Sequence, residues 1–142
     1  MCIAFTPALA LAGLGETESQ CLERFGPSVK ESAGSGVGEK LVFYEKGGVG
    51  IGVEYWKSRA SCLFYKKTIR GEGLTDAEIE AFLKESADDS YWEGAHIIGQ
   101  GRRWARKDGK AVAHYNAQQK LLIIMTDAFA LQRMKNKPPS GQ

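Results

Sequence analysis

The side chains able to do chemistry in this 142-residue chain are few: His96 and His114, the cysteines Cys2, Cys21 and Cys62, and two sets of acids, Glu16/Glu18 and Asp88-Asp89. Neither histidine has a second ligand at metal-binding spacing, and no H-E-x-x-H, C-x-x-C or G-x-S-x-G motif occurs. Cys62 and His114 could share a sheet face as a nucleophile–base pair, but no third group is placed to orient the base. Asp88-Asp89 reads as a loop and Glu16/Glu18 as a helix start. The glycines of Gly47-Gly-Val-Gly-Ile-Gly52 lack G-x-G-x-x-G spacing, and no helix follows them to cradle a phosphate. The expectation is therefore a chain with no catalytic residue, no metal and no cofactor.

Two other kinds of chemistry stay open. Residues 1–13 carry no charge, and their Ala8-Leu-Ala10 and Ala10-Leu-Ala12 steps look like an apolar leader with a small-residue cleavage site. This run is too short to span a membrane as a helix. A periplasmic or secreted location follows as an expectation. In an oxidising compartment Cys21 and Cys62 form an even pair, readable as a disulfide or as two small core hydrophobes. Binding is the second kind. It depends on which aromatic and charged residues the elements expose.

Those elements are legible as an α+β pattern. Hydrophobic residues make up 43% of the chain and charged residues 25%, with a net charge of +2, as in an ordinary globular domain. Thr17-Glu-Ser-Gln20 and Thr75-Asp-Ala-Glu78 both have the form of a helix capping box, each followed by an apolar stripe. Residues 40–67 read as three strands joined by tight turns at Gly47-Gly48 and Lys57-Ser58. A weaker copy lies 61 positions later, with Asp108-Gly109 matching Gly47-Gly48 and Trp104 matching Phe43. The resulting expectation is a tandem repeat of a helix and a three-stranded antiparallel meander, residues 14–70 and 71–134, with the helices on one face of the sheet. Residues 28–39 read as a Gly/Ser connector, 86–100 as a loop folded back on the core, and 135–142 as a tail.

Strand alternation then sorts the faces. Two-residue turns put Val42, Tyr44, Ile51, Val53, Cys62 and Phe64 beneath the helices. The other face carries Phe43, Glu54, Trp56 and Tyr65, with Trp104, Arg106 and Tyr115 from the copy. Aromatic and arginine residues on an uncovered face suit a protein partner in the envelope or outside the cell. The alternative is single-stranded nucleic acid. Lys66-Lys67, Arg70, Arg102-Arg103, Arg106-Lys107 and Lys110 would flank the stacking rings. The near-neutral total charge and the missing RNP-like motif speak against it.

The order of capping-box helix and meander, twice over, resembles the β-lactamase-inhibitor-protein fold. Gly15-Glu-Thr-Glu-Ser-Gln-Cys-Leu-Glu-Arg-Phe-Gly-Pro27 is similar to the helix opening of small outer-membrane assembly lipoproteins, although here Gly and Pro are adjacent and the lipobox cysteine is absent. The resemblance implies an exported scaffold whose concave sheet grips another protein. It implies no specific functional residue.

Overall fold

The computed structural model describes residues 13–34, 37–98 and 101–136, with the backbone alone of Ala95, His96 and Ile98. Residues 1–12 of the apolar leader, Cys2 among them, and residues 137–142 of the tail lie outside the described residues. Both capping boxes form. Thr17 accepts the backbone N–H of Gln20 while Gln20 reaches back to Thr17 N, opening α1 (Glu18–Phe25). Thr75 and Glu78 repeat this at the start of α2 (Asp76–Glu85). Each box satisfies two amides that no helical carbonyl can reach. Gly26 ends α1 at φ 87°, a left-handed value that a glycine adopts without strain.

The fold is α+β. Among the described residues, three helices flank one eight-stranded antiparallel sheet. Four strands follow each of the first two helices: β1 (Lys30–Ala33), β2 (Lys40–Lys46), β3 (Val49–Trp56) and β4 (Arg59–Lys67), then β5 (Trp92–Ile98), β6 (Gly101–Arg106), β7 (Ala111–Asn116) and β8 (Leu121–Thr126). The order across the sheet is β1-β2-β3-β4-β8-β7-β6-β5, so the two sets meet through β4 and β8. A third helix, α3 (Asp127–Asn136), continues from β8.

Each set thus has four strands where three are expected. β1 was hidden in the Gly/Ser connector because all four of its residues are exposed and none alternates. β5 lies where a loop is expected. Trp92 does fold back on the core, but as the first residue of an edge strand interrupted between Glu93 and His96. The hairpins differ as well. Gly47 and Gly48 take φ 59° and 80° in a two-residue turn, whereas β6 and β7 are joined by the longer 107–110 loop, in which Gly109 alone of Asp108-Gly109 has positive φ.

The largest departure lies in β4. Lys57 and Ser58 form a tight left-handed turn, φ 57° and 65°, whose N–H groups donate to the Glu39 carboxylate at 2.9 and 3.2 Å. Tyr55 pairs with Ala60, but Glu54 pairs with Cys62, so Ser61 is an extra residue, a β-bulge. The Ser61 hydroxyl donates to the Arg59 carbonyl at 3.1 Å within the bulge. One extra residue reverses the facing of everything after it. Leu63 and Tyr65 therefore join Val42, Tyr44, Ile51 and Val53 under α1 and α2, and Cys62 and Phe64 turn to the opposite face. That reverses the expected facing of all four.

The core lies on this helix face. Cys21 and Phe25 of α1 and Ile79 and Leu83 of α2 cover Tyr44, Val53, Tyr55, Leu63, Tyr65, Leu122 and Ile124. The Phe82 ring stacks on Tyr65 at 4.1 Å between centroids, and Phe25 meets Tyr44 at 5.3 Å. Helices do not keep to one face, however. Phe129 of α3 is fully buried and meets Trp56 edge-on at 5.9 Å, on the side of the sheet facing away from α1 and α2. The reason is connectivity: α3 starts at the residue after β8 and turns over the end of the strand, with Thr126 accepting the Phe129 N–H at 3.1 Å.

Candidate functional site

Register places the expected binding residues on two different faces. Phe43, Glu54 and Trp56 belong to the face opposite α1 and α2, which we call the open face. Tyr65, Trp104, Arg106 and Tyr115 belong to the helix face. Tyr65 is 0% exposed and stacked on α2. Tyr115 is 8% exposed, with the Arg102 guanidinium 5.7 Å from its ring. That same guanidinium lies 5.3 Å from half-buried Trp104 and pairs with Asp76 of α2 at 3.1 Å.

Arg106 is 6% exposed, and its role is internal. Its Nη1 donates to the Ser86 carbonyl at 2.8 Å and its Nε to Asp108 at 3.0 Å, tying β6 to the last turn of α2. A cation there complements the negative end of the helix dipole. Its hydrogen bond is the leading cause holding the Asp108 carboxyl below its ordinary range. Four of the seven expected surface residues, Glu54, Tyr65, Arg106 and Tyr115, are therefore buried. Glu54 is on the open face but lies under the 37–39 turn, where its Oε2 accepts the Gly38 N–H at 3.2 Å. The aromatic set expected to stack nucleic-acid bases is divided in the same way, Phe43 on one face and Tyr65, Trp104 and Tyr115 on the other.

The equivalence at 61 positions fails for a related reason. Phe43 and Trp104 are matched by it, yet they point to opposite faces. Keeping the faces equivalent needs an even offset in β2 and β3 and an odd one in β4, because the bulge at Ser61 has no counterpart before β8.

Cys21 and Cys62 are both free and buried. Cys21 lies under α1, and Cys62 looks out from the other side of the sheet, so the disulfide reading is set aside. Burial pushes the Cys21 thiol up to about 11 and raises that of Cys62 further. Neither is the low-pKa, accessible thiolate that a nucleophile requires. Cys62 and His114 do share the open face, but they belong to different cross-strand rows. Among the described residues no cluster of histidine, cysteine and acids could hold a metal.

What the open face does assemble is an apolar row crossing the strands. Phe43 pairs with Gly52, Gly52 with Phe64, Phe64 with Ile123, and Ile123 with His114. Leu41, Met125, Val112 and Leu121 flank it on neighbouring rows, and all these side chains apart from the glycine are half-buried. Phe43 and Phe64 lean together over Gly52. A Cβ there would meet both rings at 3.3 Å, so the glycine is the space into which the rings settle. Beyond Phe43 the Lys30 ammonium stands 5.4 Å from its ring, and beyond His114 comes exposed Arg103. Burial, with a smaller contribution from Arg103, holds the His114 imidazole below its ordinary pKa.

Sequence reasoning missed Phe64, Ile123, Met125, Val112 and His114 as surface members. Ser61-Cys-Leu-Phe-Tyr65 has no polar alternation to betray a bulge, so its facing could be taken either way.

No family model matches the chain, and no curated protein matches it. Among solved structures it is similar to an extracellular protein containing an SCP domain from Bacillus anthracis strain Ames, with a TM-score of 0.51 and 6% sequence identity. The likeness covers 95% of this chain and 52% of that one, so the chain spans about half the length of that protein. At this identity the likeness concerns the fold alone. No helix among the described residues is long and apolar enough to cross a membrane.

Proposed function

We propose that this chain is a binding module that engages another protein across the open face of its sheet and has no enzymatic activity. The observation that carries this reading is the row Phe43–Phe64–Ile123 with its neighbours Val112 and Met125, apolar side chains lying side by side and only half covered. The 37–39 turn meets this face at Glu54 and α3 meets it at Trp56. A contiguous apolar patch with a polar rim is how a protein surface marks a contact site. The binding set is accordingly Phe43, Phe64, Val112, Ile123 and Met125, with Trp56 at its margin.

We place the module outside the cytoplasm, periplasmic or secreted. The uncharged leader at residues 1–13 supports this, and the similar structure is that of an extracellular protein. The two thiols are no guide to compartment, because they are free and lie on opposite sides of the sheet. We also read the succession of a helix and four strands, twice, as a duplication that later diverged, a reading supported by the two capping boxes standing in the same order before each set.

Photo-crosslinking tests the binding surface. A benzoylphenylalanine in place of Phe64 or Ile123 is expected to give covalent protein adducts in cells, and one in place of Leu22, exposed on α1, is not. Adducts only from the α1 position would overturn the reading.

A further inference from the structure

The open face carries a charge pattern as well as an apolar one, and the pattern narrows the partner. Its central row runs on to His96 on β5, and along it Lys30 on β1 and Arg103 on β6 are both exposed. Six strand spacings separate them, roughly 29 Å. The interior of the row holds Phe43, Gly52, Phe64, Ile123 and His114, with no acid. Acids elsewhere on this face have company: Glu93 pairs with Lys107 at 3.7 Å, and Glu45 shares its row with Lys66 across Gly50. Among the described residues, the Arg103 side chain makes neither a hydrogen bond nor an ion pair, and the Lys30 ammonium meets only the face of the Phe43 ring. A cation over a ring at an exposed site is held only weakly and leaves most of its charge unmatched.

We infer that the partner, on the reading above, presents an apolar segment of about that span with a carboxylate toward each end, one for Lys30 and one for Arg103. A second copy of this chain does not fit. Two open faces stacked about a two-fold axis set Lys30 against Arg103 or Lys30 against Lys30, and like charges so placed oppose association. The two ends give the contact its position along the row, and the rings supply the apolar area between them.

The test uses a displayed library of random 20-residue peptides selected on the immobilised chain. The expected winners have an apolar centre with Asp or Glu toward both ends. Their binding should weaken at least tenfold on the double variant Lys30→Glu/Arg103→Glu, and also on Phe64→Ser, with the melting temperature of each variant near that of the parent. Winners without acidic ends that still need Phe64 would leave the open-face reading standing and overturn this inference. Winners indifferent to Phe64→Ser, or no winners above background, would overturn both. Concentration-dependent dimerisation abolished by Phe64→Ser would make a second copy the occupant and overturn the inference.

Discussion

Tyr65 shows how far one side chain can move between expectation and structure. It was readable as a surface ring for a partner, and it is instead the most deeply buried aromatic on the helix face, with Phe82 stacked on it and its hydroxyl without a hydrogen-bond partner among the described residues. A buried hydroxyl left unpaired costs about 1–3 kcal/mol. Tyr65→Phe should therefore leave stability unchanged or raise it by about 1 kcal/mol in urea unfolding, whereas a loss would reveal a partner for the hydroxyl. His114 is the residue-scale probe of the other face. Its folded pKa lies below the ordinary 6.5 because burial, and secondarily Arg103, disfavour the imidazolium. The stability it contributes is complete above 6.5 and is lost as pH falls through the lower folded value. Arg103→Gln should raise the His114 pKa in an NMR titration, and an unchanged pKa would mean that the two are not neighbours in solution.

Among the elements, the helices were legible and the sheet only partly so. A capping box is a four-residue chemical signature. Thr17/Gln20 and Thr75/Glu78 carry it in full, so α1 and α2 begin where the sequence says. The facing of β4 depends on Ser61 being an extra residue, and nothing in an unbroken apolar run reports that. The consequence spread widely: Tyr65, Cys62 and Phe64 changed sides together, and with them went the disulfide and half of the expected surface. β1 escaped notice for the opposite reason, since its four exposed residues are held by backbone pairing to β2, which leaves no pattern. Ser61 offers a direct test. Ser61→Ala removes only the hydroxyl bonds and should cost about 1 kcal/mol. Deleting Ser61 forces β4 to choose between its turn and its pairing with β8, and should cost about 3 kcal/mol or more in the same urea experiment. Equal effects would mean that the bulge does not set the register.

At the scale of the whole molecule, the two helix-and-strand sets are not separable units. β4 and β8 pair at the centre, and α2, from the second set, supplies the ring that covers Tyr65 of the first. A fragment of residues 14–73 would expose Tyr65 and leave β4 as an unpaired edge. Circular dichroism should find this fragment and residues 74–142 largely unfolded when separate and structured when mixed. Independent folding of either piece would show that the seam is dispensable. The arrangement was legible from sequence as an α+β chain with two similar stretches. Their joining into one continuous sheet was not, because antiparallel contact between strands far apart in sequence leaves no local trace.

The outer margins of that sheet have a consequence for how the protein behaves in a crowded solution. One rim is a four-residue strand reading Lys-Glu-Ser-Ala, and the other is kinked near Gly94, where φ is 39°. A ribbon this wide would otherwise invite neighbours to add rung upon rung and grow into fibres. Brevity and charge on one side and a break in the ladder on the other discourage such stacking, so the proposed contact falls to the broad apolar surface rather than to the rims.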